Sequence, residues 1–425
     1  MINDVKELIS IIEGSKRQEK KTSLDKMFAL CDLFDNPQDG VPFIHVGGTN
    51  GKGSTLTYIK TILMEAGYNV GAFISPYVVC FNERISLNNT YISDEDLLFY
   101  GKKILNKCAQ LQIDLPPFFD FVTMIAFLYF KDLYQAKKVD YVILEVGMGG
   151  IYDSTNVCKP LLSLITNVDY DHMSVLGNTL GEIWQNKLGI LKEDTPFICY
   201  HSEYDYLVND QAREKNAKNK LKFISKSDCV IKEIGFDYTI FDYLDYKNLK
   251  IKLLGPYQVE NAALAIEAIK SLNEYHLLKH DVNEDAIRNG LEKAFWPGRL
   301  EIVSKKPLII LDGAHNVDAI LRLIEFIKHY KFNKPLRLVI AISANKEVDR
   351  MIHLIEGLGS EVVYTEFNYK RSDLASHLYN ISNHPNKLLI ENEDDVLDYI
   401  KDDLEHDNLL FGSLYFVSEM RKKFK

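Results

Sequence analysis

The sequence has few cysteines and no long apolar run, and each shortage excludes a class of protein. Six cysteines are scattered without a C-x-x-C pair, which argues against a disulfide framework or a zinc site. The most apolar stretch, residues 121–130, has about half the length that a membrane-spanning helix requires. The N-terminus lacks the basic start and continuous apolar core of a secretory signal. We therefore expect a cytoplasmic protein with reduced thiols and no membrane partner.

The chain also lacks net positive charge. It has 50 basic and 60 acidic residues and a formal net charge of −10, which disfavours nonspecific binding to nucleic acid. Any site for an anionic ligand must therefore be basic locally. With 46% hydrophobic residues the composition is that of a globular protein, and 425 residues are too many for a single core. The composition thus predicts a globular enzyme or binding protein with two domains.

Strand-like and helix-like segments alternate along most of the chain. Runs rich in Val, Ile and Leu occur at 43–46, 70–74, 139–146 and 161–165. They are separated by amphipathic stretches, which is typical of a parallel sheet covered by helices on both faces. From about residue 200 to 255, short strands crowded with Lys, Asp and Tyr indicate a small antiparallel elaboration. The pattern predicts an α/β fold.

A turn-forming break at residues 296–299 separates this region from a second alternation of strands and helices. We place the domain boundary there. Residues 1–296 are expected to form a large domain with a mostly parallel sheet, and residues 297–425 a smaller, Rossmann-like α/β domain.

The most informative segment is rich in glycine and joins an apolar run to a helix-like stretch. It reads Gly47-Gly48-Thr49-Asn50-Gly51-Lys52-Gly53-Ser54, and we call it the phosphate loop. A tight glycine turn lets backbone N–H groups converge on phosphate oxygens, and the following helix presents its positive end. Lys52 can neutralise the β- and γ-phosphates, and Ser54 can ligate Mg²⁺. The spacing differs from the general G-x-x-x-x-G-K-[ST], since Gly53 separates Lys52 from Ser54, so the large domain is predicted to be a P-loop ATPase of a variant kind.

Three further charged side chains follow predicted strands, where open α/β sheets bind ligands. Glu145 ends an apolar run and is either a Mg²⁺ ligand or a strand-end acid that caps a neighbouring helix. His172 is either a structural histidine or a ligand for a divalent ion already held by oxygen donors. Lys187 is harder to interpret from chemistry alone, because an ammonium group repels a metal ion.

Ordered motifs over essentially the whole chain resemble those of the folylpolyglutamate synthase family, the folate branch of the Mur ligase superfamily, which includes bifunctional dihydrofolate synthases. The string G-T-N-G-K-G-S at 48–54 is similar to the family's ATP-binding loop. Similar motifs follow in order: S-P at 75–76 with F-N-E-R-I at 81–85, E-V-G-M-G-G at 145–150 with D-S-T-N at 153–156, D-H at 171–172 with Lys187, W-P-G-R-L-E at 296–301, L-D-G-A-H-N at 311–316 and G-S-L-Y at 412–415.

The resemblance implies a role for each matching position. ATP phosphates would be held by Thr49, Asn50, Gly51, Lys52, Gly53 and Ser54. Two Mg²⁺ ions would be surrounded by Ser54, Ser75, Glu145 and His172. Lys187 would carry a carbamate, which replaces a cation with anionic oxygens suited to Mg²⁺. The adenine and ribose would contact Asn261, Arg299 and Asp312, with His315 beside the phosphates. The implied catalytic residues are thus Lys52, Lys187, His172 and His315.

On the substrate side, Phe119 and Asp120 would border the pterin or pteroate, and Asp153 and Ser413 are candidates for placing the incoming glutamate. Two positions depart from the family pattern. Ile151 stands where many bifunctional members carry arginine, and Asp120 replaces the usual glutamate. Loss of a cation would weaken contact with an acidic pteroate, so the sequence favours a synthase without dihydrofolate synthase activity.

The resemblance therefore predicts an ATP-dependent ligase that adds L-glutamate to the γ-carboxylate of reduced folates through an acyl phosphate. We expect a monomer with no nucleic-acid partner. A bifunctional enzyme that also joins glutamate to dihydropteroate is the alternative within the family. A non-catalytic nucleotide-binding regulatory protein is the alternative from another class. The joint presence of six residues argues against it: Lys52, Ser75, Glu145, His172, Lys187 and His315.

Overall fold

The computed structural model describes residues 4–15, 22–344, 346–368 and 372–424, which form two compact units. The first unit comprises residues up to Cys229 together with Asn261–Lys293, and the second comprises Val230–Glu260 together with the chain from Ala294 onwards. The expected division at 296/297 differs from this arrangement, because it left 230–260 in the first domain. The physical reason is aromatic packing: the ring of Phe236 lies 5.3 Å from that of Tyr330 and 5.4 Å from that of Phe332.

A large mixed sheet organises the first unit. Its strands are β1 (Phe43–Gly47), β2 (Val70–Phe73), β3 (Ile85–Leu87), β4 (Thr90–Tyr91), β5 (Tyr141–Glu145), β6 (Leu162–Ile165), β7 (Phe197–Tyr200) and β8 (Leu221–Ile224). They pair in the order β4-β3-β2-β5-β1-β6-β7-β8. Only the β2–β3 and β3–β4 pairs are antiparallel. The central strand β1 is buried at every residue, as expected for a parallel strand covered on both faces.

The predicted antiparallel elaboration is wrong for the stretch before Ile224, where β8 pairs parallel to β7 and continues the main sheet. β8 is an edge strand, and all of its residues except Ile224 are partly exposed. Polar residues are tolerated at such an edge, so the apolar signature of a parallel strand is missing from the sequence there.

Within the described residues, ten α-helices belong wholly or partly to this unit. They are α1 (Val5–Gly14), α2 (Asp25–Asp32), α3 (Lys52–Glu65), α4 (Asp94–Leu111), α5 (Phe118–Gln135), α6 (Met173–Leu176), α7 (Leu180–Lys187), α8 (Asp205–Glu214), α9 (Tyr257–Glu274) and α10 (Glu284–Lys293). Helix α5 is buried at every residue from Asp120 to Phe130, which explains why this stretch is the most apolar in the sequence. In the described part of the chain, no helix is both long enough and apolar enough to cross a bilayer.

The second unit contains two sheets. A three-stranded sheet consists of β9 (Cys229–Ile234), β10 (Thr239–Tyr243) and β11 (Tyr246–Ile251), and its β10–β11 pair is antiparallel, as predicted. The other sheet consists of β12 (Glu301–Lys305), β13 (Leu308–Asp312), β14 (Leu336–Ile340), β15 (Glu361–Tyr364), β16 (Lys387–Leu389) and β17 (Asp407–Phe411).

The six strands pair in the order β12-β13-β17-β14-β15-β16, and all pairs except β12–β13 are parallel. The helices of this unit are α11 (Val317–His329), α12 (Val348–Ile355), α13 (Ala375–Ile381), α14 (Glu393–Ile400) and α15 (Leu414–Lys422). Parallel strands joined by helices in both units confirm the α/β prediction.

Helices α3 and α10 approach closely at Gly290. A Cβ atom at this position would lie 2.4 Å from the Ile62 Cα. The variant Gly290→Ala would therefore force the backbones of α3 and α10 apart. We expect this variant to lower the free energy of unfolding by about 1–3 kcal/mol, the usual cost of overpacking, measured by urea denaturation. Gly14→Ala is the control, because a Cβ at this helical glycine meets nothing within 4 Å. Equal stability of the two variants would contradict the close approach.

Candidate functional site

The phosphate loop lies between β1 and α3, at the carboxyl edge of the first sheet. Two of its glycines have backbone conformations and surroundings that exclude a side chain. Gly48 has a φ of +141°, and a Cβ there would lie 1.9 Å from the Thr166 Oγ1. Gly51 has a φ of +81°, and a Cβ there would lie 2.4 Å from the Asn261 Oδ1. The loop therefore depends on glycine at both positions.

The segment that follows β6 holds this loop in place. Thr166 Oγ1 donates a hydrogen bond to the Asn50 carbonyl at 2.5 Å, and Asn50 N–H donates to Asn167 Oδ1 at 2.7 Å. Thr49 N–H donates to the Asn167 carbonyl at 2.8 Å. Sequence reasoning singled out only His172 in this region. Polar residues at the carboxyl end of a strand next to β1 were the signal that could have identified Thr166 and Asn167.

Two lysines converge on one carbonyl oxygen of the loop. Lys52 Nζ donates to Gly48 O at 3.2 Å and to Thr49 O at 2.9 Å. Lys187 Nζ donates to the same Gly48 O at 2.8 Å, and Lys187 is only 3% exposed. Burial, and to a smaller extent the charge of Lys52, lower the pKa of Lys187 to about 7. The site is thus locally basic within an acidic protein.

Two of the four expected metal ligands, Ser75 and Glu145, are hydrogen-bonded to each other. Glu145 ends β5, and its Oε2 accepts a hydrogen bond from Ser75 N–H at 3.1 Å. Ser54 is buried in the first turn of α3. His172 has a left-handed backbone with a φ of +50°, its side chain is 49% exposed, and its Nε2 lies 3.8 Å from Asp171 Oδ2.

The donor chemistry fits a magnesium ion that arrives with a nucleotide. Among the described residues, no group of three or more His, Cys, Asp or Glu side chains could hold a metal ion. Mg²⁺ commonly binds through one or two carboxylates and completes its shell with substrate phosphates and water. A buried carboxylate at Glu145 beside the phosphate loop is compatible with that mode.

The two acidic substrate candidates make internal hydrogen bonds. Asp120, on α5, accepts from the Ser154 hydroxyl. Asp153 accepts from Met148 N–H at 2.9 Å and from Thr155 N–H at 3.0 Å. Both carboxylates are buried, and both fasten residues 147–156, which we call the 147–156 loop.

Phe119 and Ile151, the other two residues that the sequence places near the pterin or pteroate, differ in exposure. The ring of Phe119 packs against Phe73, with centroids 5.9 Å apart, whereas Ile151 is 37% exposed. The structure therefore brings Phe119 and the 147–156 loop into the same unit as the phosphate loop, and leaves Ile151 accessible.

In the second unit, Asp312 ends β13 and organises two neighbouring turns. Its Oδ2 accepts from Leu300 N–H at 2.9 Å, and its Oδ1 accepts from Ala314 N–H at 2.8 Å. Burial raises the pKa of Asp312, and the charge of Arg299 opposes that rise. His315 Nδ1 donates to the Gly313 carbonyl at 2.8 Å, which orients the ring. Asp312 therefore shapes the backbone on both sides of the predicted nucleotide contacts.

The turn that carries Arg299 has a second anchor, which sequence reasoning missed. Glu301 Oε2 accepts from Gly298 N–H at 2.8 Å. Arg421, on α15, donates from Nε to both carboxylate oxygens of Glu301, at 2.9 and 2.7 Å. Both side chains are 9% exposed. Nothing near Arg421 in the sequence signals this contact, because the two residues meet only through the fold.

Ser413 occupies the N-cap of α15. Its Oγ accepts a hydrogen bond from Tyr415 N–H at 3.2 Å, and the residue is buried. This is an ordinary helix-capping interaction, so the geometry gives Ser413 a structural role whatever else it contacts.

Comparison with known proteins identifies the family. Residues 123–269 match the Mur ligase middle domain, and residues 299–423 match the dihydrofolate synthetase C-terminal domain. A dihydrofolate synthase/folylpolyglutamate synthase of Bacillus subtilis is 37% identical over 428 residues, which cover 98% of each chain. The chain belongs to the dihydrofolate synthase/folylpolyglutamate synthase family. The folylpolyglutamate synthase of Lacticaseibacillus casei is 30% identical, over 98% of this chain and 97% of its own.

Solved structures of this family share the fold over nearly the full length. Folylpolyglutamate synthase from Thermotoga maritima has a TM-score of 0.85 at 32% identity, covering 99% of this chain and 96% of that one. A folylpolyglutamate synthase solved with AMPPCP and folate has a TM-score of 0.82 at 28% identity, covering 99% of each chain. Escherichia coli FolC, solved with DHPP and ADP, has a TM-score of 0.85 at 25% identity, covering 99% of this chain and 97% of that one.

The buried pair of Glu301 and Arg421 generates a stability prediction. Arg421→Met leaves the Glu301 carboxylate buried without its partner, and we expect a loss of about 3–5 kcal/mol in the free energy of unfolding. Adding Glu301→Gln should recover part of that loss in a double-mutant cycle by urea denaturation. Lys422→Met is the matched control on the same helix. It removes an exposed ion pair with Glu419, for which we expect a change below about 1 kcal/mol. Equal losses at the two positions would contradict an anchoring role for Arg421.

Proposed function

We propose that this protein is an ATP-dependent ligase that joins L-glutamate to the γ-carboxylate of a reduced folate. The observation that carries the proposal is the convergence of Lys52 and Lys187 on the Gly48 carbonyl. It places the ammonium group of Lys52 and a second, buried lysine beside the phosphate loop at the end of β1, in a chain of net charge −10. Folylpolyglutamate synthases that bind AMPPCP and folate in their solved structures support the choice of both substrates.

The proposed reaction has two steps. The folate γ-carboxylate attacks the γ-phosphorus of ATP, which gives an acyl phosphate and ADP. The α-amine of glutamate then attacks the acyl carbon, phosphate leaves, and the amine nitrogen loses a proton as the amide forms. Phosphorylation is needed because the carboxylate alone would have to expel oxide. Lys52 offsets the negative charge that develops during phosphoryl transfer.

We assign the proposed magnesium ligands to Ser54, Ser75, Glu145 and His172, for two ions. Glu145 supplies the carboxylate, and the serines supply hydroxyl oxygens. When bound, Mg²⁺ neutralises charge on the transferring phosphoryl group. The remaining coordination positions are left to phosphate oxygens and water.

We further propose that Lys187 carries a carbamate. Only a neutral amine reacts with CO₂, and a pKa of about 7 leaves a substantial neutral fraction near neutral pH. The neutral amine forms an N–C bond with CO₂ and loses one proton, so that a neutral group becomes an anion; a further proton leaves beforehand when the starting group is the ammonium form. That change removes the repulsion between Lys187 and Lys52 and suits a site for metal ions.

Some of the remaining candidate residues are proposed to contact a substrate, and others are proposed to hold the backbone around it. ATP phosphates are assigned to Thr49, Asn50, Gly51, Lys52, Gly53 and Ser54, with His315 beside them. Asn261 and Arg299 are assigned to the adenosine end and Phe119 to the pterin. We propose that Asp120, Asp153, Asp312 and Ser413 act through the backbone that they hold, since each accepts internal hydrogen bonds.

We propose that the enzyme works as a monomer in the cytoplasm. None of the six cysteines, all of which lie within the described residues, forms a disulfide, and four of them are buried, an arrangement compatible with a reducing compartment. Size-exclusion chromatography with light scattering would report the oligomeric state directly.

Replacing Lys187 tests the carbamate. We expect Lys187→Ala to lose about 10²-fold or more in kcat, the scale of removing one group that stabilises transition-state charge, while its Tm stays near that of the wild type. Acetate should restore part of the rate, because it returns anionic oxygens to the cavity, whereas methylammonium should not. The exposed Lys215 offers a control in Lys215→Ala. Rescue by methylammonium alone would show that Lys187 acts as an ammonium group.

The substrate assay compares two acceptors. The enzyme is incubated with Mg-ATP and L-glutamate, together with 5,10-methylenetetrahydrofolate in one reaction and dihydropteroate in another, and product masses and ADP are followed. We expect glutamate addition only to the folate, since Ile151 stands where many bifunctional members carry arginine. Products in neither reaction would contradict the ligase proposal and favour a non-catalytic nucleotide-binding protein.

The bifunctional alternative is favoured by the name of the Bacillus subtilis relative and by the match to the dihydrofolate synthetase C-terminal domain. Product from dihydropteroate in the wild type would establish it. The variant Ile151→Arg tests whether this position determines which acceptor is used. If it does, the variant gains activity with dihydropteroate and keeps its activity with the folate.

A further inference from the structure

A fully buried histidine in β1 heads a chain of hydrogen bonds that the proposed reaction does not use. His45 Nε2 lies 2.8 Å from Thr155 Oγ1, and Thr155 Oγ1 donates to Asp153 Oδ1 at 2.5 Å. A hydroxyl group has one proton, and that proton points at the carboxylate. His45 must therefore donate from Nε2, which sets the direction of the chain from His45 through Thr155 to Asp153.

The other ring nitrogen of His45 indicates that a histidine at this position destabilises the fold. His45 Nδ1 is buried and has no hydrogen-bond partner in the part of the protein that the structure describes. Burial, with a smaller effect from the charge of Lys192, lowers the pKa of His45 to about 3, so the ring is neutral. A buried nitrogen without a partner destabilises a fold. An apolar residue of similar size would avoid that loss, so stability alone does not account for the imidazole.

The chain of hydrogen bonds ends on a loop that flanks Lys187. Ile151 N–H donates to the Asn186 carbonyl at 2.9 Å, and Asn156 Nδ2 donates to the Gly189 carbonyl at 3.1 Å. The 147–156 loop therefore holds the backbone on both sides of Lys187.

These contacts close into a ring around the site. Lys187 Nζ donates to the Gly48 carbonyl at 2.8 Å, and Gly48 follows the strand on which His45 lies. One path from His45 to Lys187 passes along β1 and the phosphate loop. The other passes through Thr155, Asp153 and the 147–156 loop.

We propose that His45 is a positioning residue that sets the place of Lys187 relative to the phosphate loop through Thr155 and the 147–156 loop. The inference rests on the proposed ligase function. His45 lies beneath the loop, within the sheet, and acts on the reaction only through the residues that it holds.

The experiment compares His45→Leu with His45→Gln in the full-length protein, and measures kcat, the KM of each substrate and the Tm. We expect His45→Leu to lower kcat by about tenfold to hundredfold, the scale of a small misplacement of catalytic groups, with little change in the KM of ATP. Its Tm should stay level or rise, because the unpartnered nitrogen is gone. His45→Gln retains a donor at the position of Nε2 and should recover most of kcat.

Variants of Thr155 provide an independent test of the same chain of hydrogen bonds. Thr155→Val removes the hydroxyl group without changing the shape of the side chain, whereas Thr155→Ser keeps the hydroxyl. We expect Thr155→Val to lower kcat like His45→Leu, and the double variant to lose no more than either single variant, because all three break the same chain of hydrogen bonds. Thr155→Ser should remain close to the wild type.

Three results would overturn the proposal. The first is a kcat within twofold of the wild type in His45→Leu together with a lower Tm, which would assign His45 to stability alone. The second is a failure of His45→Gln to recover kcat. The third, decisive if His45→Leu does not fold, is an unaffected kcat in Thr155→Val. A wild-type enzyme that ligates glutamate to no folate would instead remove the proposed function, and this inference with it.

Discussion

Two lysine side chains meet at the carbonyl of Gly48, and much of the site follows from that contact. Lys52 and Lys187 both donate to this oxygen, and Lys187 is deeply buried. Like charges at such separations repel strongly where water is excluded. The repulsion is relieved if one lysine is neutral, which the lowered pKa of Lys187 favours, or if an anion lies close by. A phosphate-bearing substrate and a carbamate would each supply such an anion.

Three carboxylates near the predicted substrate contacts hold backbone in place. Asp153 fastens the 147–156 loop, Asp312 fastens the turns on both sides of β13, and Glu301 fastens the turn that carries Arg299. Each accepts hydrogen bonds from main-chain N–H groups outside the strands and α-helices, whose polar groups would otherwise be unpaired. An acidic residue in a motif can therefore be required for the geometry of its neighbours, without contacting a substrate itself.

The sequence predicts what depends on local pattern and misses what depends on distant packing. Apolar runs located β1, β2, β5 and β6 to within about two residues. The polar edge strand β8 was missed, because half-exposed strands carry no continuous apolar run. The packing of Phe236 against Tyr330 could not be foreseen, since nothing local relates the two positions. The motifs located the phosphate loop, but the donation of both lysines to one carbonyl required the fold.

The space behind the phosphate loop is already filled by the protein. The Thr166 hydroxyl and the Asn261 amide occupy the volumes that side chains at Gly48 and Gly51 would need. Hydrogen bonds from Thr166, and to Asn167, fix the backbone of Asn50. A loop supported in this way has little freedom to lose when a nucleotide arrives, so the entropic penalty of ordering it falls on folding and not on each binding event. Every turnover then starts from a loop whose backbone is already ordered.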